Sequence, residues 1–293
     1  MKTRIITGIT AIILFVPVIL LNDTFVFPAV MALLCAIAAG EMTACVFAGG
    51  SVIETTDGAQ AKQNRTTSAV RTILCSLICG AVVLALTSGT DGSGFSKAHA
   101  LIFCAVSLIP GVTGAVAGGY MLKNRSESRA LLLICALVYI PVSFACLCFA
   151  RGLLRHDMMF LMLFICPWTS DTAAYFFGCA FGKHKLAPVL SPKKTVEGAV
   201  AGAFFSGLAM TVFILVTEPV NITDTVLWFV LGTITGVVSQ AGDIYASAYK
   251  RRFGVKDYGK IFPGHGGVLD RFDSVLGAAI CSPVLMAVSV LMS

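Results

Sequence analysis

Charged residues are scarce in this chain, and they gather in two polar segments and at three points inside long apolar runs. The densest segment is SAYKRRFGVKDYGKIFPGHGGVLDRFDS, from Ser247 to Ser274, with six basic residues, the carboxylates Asp257, Asp270 and Asp273, and one histidine, His265. Glycines at 264, 266 and 267 let the backbone bend sharply and approach a ligand, with His265 held between them. Asp270 and Asp273 are i, i+3 neighbours entering the next helix, where acids also favour the positive end of the helix dipole. The second segment, GKHKLAPVLSPKKTVEG, runs from Gly182 to Gly198 and carries Lys183, Lys185, Lys193 and Lys194. Ser191 followed by Pro192 reads as a helix start, with Ser as cap and Pro in the first turn. Free backbone N–H groups there, with two lysines in the same turn, would make a phosphate site.

The three acids in apolar runs are Glu41, Asp171 and Asp243. A carboxylate at the centre of a membrane helix costs roughly 2.5–3.5 kcal/mol, so such a residue faces a cavity, a partner or an ion. Glu41 reads most simply as an acid hydrogen-bonded to a neighbouring helix. Asp243, Ser247 and Lys250 lie at i, i+4 and i+7, on one helical face, either as an Asp243–Lys250 tether or as components of a site. Carboxylates and cations packed together at a membrane surface suit a polyphosphate–metal site. Mg²⁺ keeps waters and takes one or two carboxylates plus phosphate oxygens, which fits Asp243 and Asp270 as a pair from two helices. Lysines flanking spans on the cytoplasmic side need no site to explain them, but the order Ser-Pro-Lys-Lys-Thr is not so explained.

These residues must be positioned by membrane helices. Of 293 residues, 57% are apolar and 12% charged, with mean hydropathy +0.89, against about 45–50% and 25% in soluble domains. Nine apolar stretches approach the roughly 20 residues needed to cross a bilayer: 5–21, 25–48, 72–88, 98–118, 130–150, 158–181, 196–216, 226–248 and 274–291. The expected fold is an all-α polytopic membrane protein, one integral domain over residues 1–293, divided into an amino-terminal half (residues 1–150) and a site-bearing half (residues 151–293). Alternating segments of a membrane β-barrel are absent. Of the 21 Lys and Arg, 18 fall in alternate connections, which places that side and the amino terminus in the cytoplasm. The net charge of +6 is therefore topology signal, and no nucleic-acid partner is expected. The opening MKTRIITGITAIILF lacks a clean small-residue cleavage site and reads as the first span, not a secretory signal. All eleven cysteines lie in apolar stretches and read as buried structural thiols. Gly49–Arg71 reads as a flexible cytoplasmic linker.

The run from Ser247 to Asp273, S-x-x-K-R-x4-K-D-x-G-x2-F-P-x-H-G-G-V-x-D-R-F-D, resembles the signature of bacterial phosphatidate cytidylyltransferases (CDP-diacylglycerol synthases). Tyr249 stands where that family usually has an aliphatic residue. The SPKKTVEG stretch, the Asp171 span and Glu41 also look like family positions. The resemblance implies transfer of CMP from CTP to phosphatidic acid at the cytoplasmic face of the inner membrane, with CTP, phosphatidic acid and the bilayer as partners and a homodimer left open. On that basis Asp243 and Asp270 would hold Mg²⁺, with Asp273 and Asp171 as outer ligands or holders of a second cation. Lys193, Lys194, Lys250, Arg251 and Arg271 would clamp phosphates, with Ser191, Thr195, Ser247 and Lys256 as further phosphate contacts. His265 and Asp257 would orient a phosphate, bind the base or lock the loop. Two other readings compete: a secondary transporter using Asp171 and Asp243 as an ion site, and a lipid or polyprenol kinase.

Overall fold

A computed structural model describes residues 13, 15–21, 24–48, 58–87, 129–153, 159–217, 221–262, 264 and 266–291. The expected span 98–118 and most of 5–21 lie outside the described residues, as does His265. The helices are α1 (Val26–Ala48), α2 (Gly58–Thr87), α3 (Arg129–Leu153), α4 (Met162–Phe181), α5 (Val196–Thr217), α6 (Ile222–Arg252), α7 (Leu269–Ala279) and α8 (Ser282–Leu291). A 3-10 turn, Met159–Leu161, precedes α4, and a hairpin of β1 (Lys185–Ala187) and β2 (Ser191–Thr195) links α4 to α5. Among the described residues, five segments are long and apolar enough to cross a membrane: Val26–Phe47, Leu131–Ala150, Val196–Thr217, Ile222–Arg252 and Leu269–Ser289. The chain is an all-α membrane protein.

Three local expectations are corrected. Ser191–Pro192 does not open a helix. Ser191–Thr195 pairs antiparallel with β1, Thr195 opposite Lys185 and Ser191 opposite Ala187, and Pro192 is tolerated because an edge strand does not need its N–H. Gly58–Arg71, expected as linker, forms the opening turns of α2; its Ala, Gln, Lys and Arg residues are good helix formers that extend the apolar segment. The last span is not one helix. It breaks at Ile280–Cys281, whose N–H groups turn back to Gly277 O and Ala278 O, and α8 restarts with Pro283 in its first turn, where a missing N–H costs nothing.

The chain forms two compact units. Residues 1–152 with 248–272 make the first. On α1, Phe27, Met31, Cys35, Ala38 and Met42 recur at helical spacing and are at most 2% exposed. Gly80 of α2 lets the backbones close, since a Cβ there would sit 3.2 Å from Ala32 O. On α3, Leu132, Ala136, Ile140, Phe144 and Leu147 form a similar buried stripe, and Phe144 packs its ring 5.7 Å from that of Phe272. Tyr249 is fully buried, and its hydroxyl donates to Leu132 O at 2.8 Å. An aliphatic side chain there would leave that carbonyl without this donor.

Residues 153–247 with 273–293 make the second unit, and its helices meet on small residues. Gly198 faces Ala174 O and Gly178 Cα, Gly207 faces Phe229 O, Gly232 faces Ser206 O, and Gly242 faces Asp273 O and Gly277 Cα. Ser206 Oγ donates to Gly232 O at 2.8 Å. Most large apolar side chains of α5 point the other way: Val200, Phe204, Leu208, Val212 and Leu215 form an exposed stripe, while Met210 and Ile214 are buried. Small residues inside and large ones outside suit a helix bundle whose solvent is lipid, where close van der Waals contact and interhelical hydrogen bonds hold the helices together. A Cβ at Gly242 would lie 2.7 Å from Asp273 O and 2.9 Å from Gly277 Cα, backbone atoms that cannot rotate away. Gly242→Val should therefore destabilise the protein by about 1–3 kcal/mol, read as a lower thermal midpoint in detergent, whereas Leu208→Val on the exposed stripe should leave it nearly unchanged.

Candidate active site

In the second unit a cavity of about 640 Å³ opens between α4, the hairpin, α5 and α6. Lys185, Ser191, Lys193, Lys194 and Thr195 come from the hairpin, Asp171 from α4, and Gln240 and Asp243 from α6; Ala174, Tyr175 and Cys179 form an apolar wall. Cys179 is exposed, unlike eight of the ten described cysteines, which are buried. The cavity thus brings together Asp171, Ser191, Lys193, Lys194, Thr195 and Asp243, six of the residues singled out from sequence.

The hairpin is locked to the start of α5. Val196 N–H donates to His184 O at 2.9 Å, and Gly198 N–H donates to Thr195 Oγ1 at 3.2 Å. Glu197, in the first turn, accepts the His184 N–H on both oxygens at 3.2 and 3.3 Å, and its Oε1 lies 2.6 Å from His184 Nδ1. The helix start is therefore capped by protein groups. The expected helix start with free amides at Ser191–Pro192 is corrected: that stretch is strand, the Gly198 amide is taken by Thr195, and the lysine side chains line the cavity.

Lys194 Nζ lies 2.5 Å from Asp243 Oδ2, with the side chains 22% and 23% exposed. This close, charge-assisted contact commits the ammonium to the Asp243 carboxylate. Ser247 Oγ approaches Asp243 Oδ1 at 3.4 Å. Asp171 feels the charges of both Lys194 and Asp243 and accepts Ser274 Oγ–H at 2.9 Å on Oδ2. Ser274 N–H in turn donates to Asp273 Oδ1 at 2.8 Å. Gln240 Nε2 donates to Ser170 Oγ at 2.9 Å and to Ala199 O at 3.1 Å, tying α4, α5 and α6 together behind the carboxylates.

Two carboxylates in one cavity, one already against a cation, fit a hard divalent ion that takes its remaining ligands from water and phosphate oxygens. Among the described residues no group of three or more His, Cys, Asp or Glu side chains converges on a point.

The signature loop belongs to the first unit. Asp270, 8% exposed, accepts Lys250 Nζ at 2.9 Å on Oδ1, and Tyr258 N–H at 2.7 Å and Gly267 N–H at 3.0 Å on Oδ2. Lys250 Nζ also lies 5.3 Å from the Tyr258 ring centroid. The expected Asp243–Lys250 tether is corrected: Asp243 pairs with Lys194, and Lys250 with Asp270. Phe262 and Gly266 exchange backbone hydrogen bonds at 2.9 and 3.1 Å, closed by Gly264 and Gly266 at φ +79° and +89°. That left-handed backbone is what the glycine spacing implied. Arg251, Lys256, Asp257 and Arg271 are exposed. Glu41 accepts Val268 N–H at 3.0 Å and Leu269 N–H at 2.9 Å, so it caps α7 from another helix.

Residues 2–289 match the family model described as the Cytidylyltransferase family. This chain belongs to that family. It is 43% identical over 157 residues to a phosphatidate cytidylyltransferase of Staphylococcus saprophyticus subsp. saprophyticus, covering 53% of this chain and 58% of the relative. The Staphylococcus aureus (strain COL) protein of the same name is 41% identical over the same shares, so the chain spans somewhat over half the length of these relatives. A phosphatidate cytidylyltransferase of Rickettsia typhi is 32% identical over 171 residues, 57% of this chain and 74% of the relative.

Sequence reasoning named the lysines and carboxylates of the cavity but not Gln240, Ser274 or the capping role of Thr195. The only signal for Thr195 was its place three residues before a small residue. Because Thr195 caps α5, Thr195→Ala should cost about 1 kcal/mol, seen as a lower thermal midpoint in detergent.

Proposed function

We propose that this member of the cytidylyltransferase family transfers CMP from CTP to phosphatidic acid, giving CDP-diacylglycerol and pyrophosphate. The observation that carries this reading is the cavity in which Lys194, Asp243 and Asp171 meet, lined by further lysines of the hairpin. Family membership and the names of the relatives support the same chemistry.

A phosphate oxygen of phosphatidic acid attacks the α-phosphorus of CTP, the bond to the β-phosphate breaks, and pyrophosphate leaves. The nucleophile is already anionic at pH 7, so no general base is needed. The work lies in bringing two anions together and neutralising the leaving group. Lys193 and Lys194 supply mobile positive charge at the cavity, and Asp171 and Asp243 would hold Mg²⁺, with Asp273 and Asp270 as the remaining candidates. A bound Mg²⁺ would neutralise charge on the triphosphate. Arg251, Arg271, Lys250, Lys256, Ser191, Thr195, Ser247 and His265 complete the proposed set of phosphate-binding groups.

The reading also takes in nine spans, a cytoplasmic amino terminus and a site facing the cytoplasm across the inner membrane. The 18-to-3 division of Lys and Arg between alternate connections supports that orientation. Lipid tails would then remain in the bilayer while CTP arrives from the cytosol.

Purified protein given phosphatidic acid, Mg²⁺ and CTP labelled at the α-phosphate should move label into lipid. Terminal-phosphate transfer would indicate a lipid kinase instead, and no transfer would favour transport. Asp243→Asn should lower the rate by on the order of 10²-fold or more while the protein stays folded in membranes, and chelation should stop turnover until Mg²⁺ is restored. An Asp243→Asn rate near that of the unaltered protein would overturn the assignment.

A further inference from the structure

Glu41 lies well inside the apolar run of α1 yet is only 8% exposed. A carboxylate there must find donors or carry a large desolvation cost. Its donors are two backbone amides far away in sequence: Val268 N–H on Oε1 at 3.0 Å and Leu269 N–H on Oε2 at 2.9 Å, 227 and 228 residues on. The loop is shaped around it, because a Cβ at either Gly259 or Gly267 would collide with the carboxylate. The same loop is tied from within by Asp270, through Tyr258 N–H and Gly267 N–H. The segment from Tyr258 to Asp270 is thus clamped between two carboxylates, one of its own and one from α1. Glu41 also places a fixed anion on the amides that begin α7, where a phosphate would otherwise find unpaired N–H groups.

We propose that Glu41 is a positioning residue for nucleotidyl transfer: it sets the conformation of the Gly259–Leu269 loop, and with it the orientation of Asp270 and Arg271, without touching substrate. The inference rests on the reaction proposed above. Glutamine is not an equivalent here, since it offers one acceptor oxygen and turns an N–H₂ donor toward an N–H donor.

The test compares the full-length protein with Glu41→Gln and with Met31→Ala, a buried packing change elsewhere on α1. Glu41→Gln should lower kcat for label transfer from α-labelled CTP by on the order of 10²-fold, with KM for CTP shifted far less, the pattern of lost positioning rather than lost binding. Hydrogen exchange should accelerate across residues 258–269 and stay unchanged in α5. Met31→Ala should lower the thermal midpoint and leave kcat close to the unaltered value. If Glu41→Gln does not accumulate as folded protein, Gly267→Ala perturbs the same contact from the loop side and should give the same kcat loss and the same exchange signature. Unchanged kcat in an otherwise active enzyme, or unchanged exchange over 258–269, would overturn the inference. Failure of the unaltered protein to transfer label would overturn the reaction instead, and the exchange result would still decide whether Glu41 anchors the loop.

Discussion

A carboxylate among apolar side chains has to be compensated, and the way each acid of this chain is compensated separates structure from chemistry. Asp270 is surrounded by three donors, an ammonium and two backbone amides. Glu41 has both oxygens filled by amides. Both hold the loop through its backbone amides. Asp171 and Asp243 differ: Asp171 is bonded by Ser274, Asp243 by Lys194 and more distantly by Ser247, and both line an open cavity. Their remaining acceptor capacity faces the cavity, and under the reading proposed above it would be met by a hard cation.

Such a cavity needs rigid walls. Glycine and serine at the crossings of α4 through α7 let helix backbones approach to contact distance, and Gln240 joins three of those helices by hydrogen bonds to Ser170 and Ala199. The buried face of α5 is mostly glycine, alanine and serine, Gly198, Gly202, Ala203, Ser206 and Gly207, with Met210 and Ile214 as its large members. Groups that must act in concert are then held within a narrow range of positions, which is the condition under which charge placement accelerates a reaction.

Both helix starts near the polar segments are capped by side chains, α5 by Thr195 on Gly198 N–H and α7 by Glu41 on Leu269 N–H. A capped terminus does not offer its amides to phosphate. The cationic groups that line the cavity are the lysine side chains of the hairpin, Lys185, Lys193 and Lys194. Lys194 lines the cavity with its ammonium paired to Asp243.

Membrane residence, helical class and the segments bearing chemistry were legible in the sequence because they depend on local quantities: the length of an apolar run, the density of Lys and Arg beside it, and the glycines that a left-handed turn requires at 264 and 266. The signature from Ser247 to Asp273 was legible for the same reason. Partner choice was not. Spacing alone joined Asp243 to Lys250 along one helix, whereas the fold pairs Asp243 with Lys194 and Lys250 with Asp270. Ser191–Pro192 carried a helix-start pattern, yet pairing with β1 outweighed it. Glu41 was visible as a costly acid, but its amides lie more than 200 residues away. Ion pairs and hydrogen bonds act over a few ångströms in space, and only the packing of the helices determines which distant residues come within that reach.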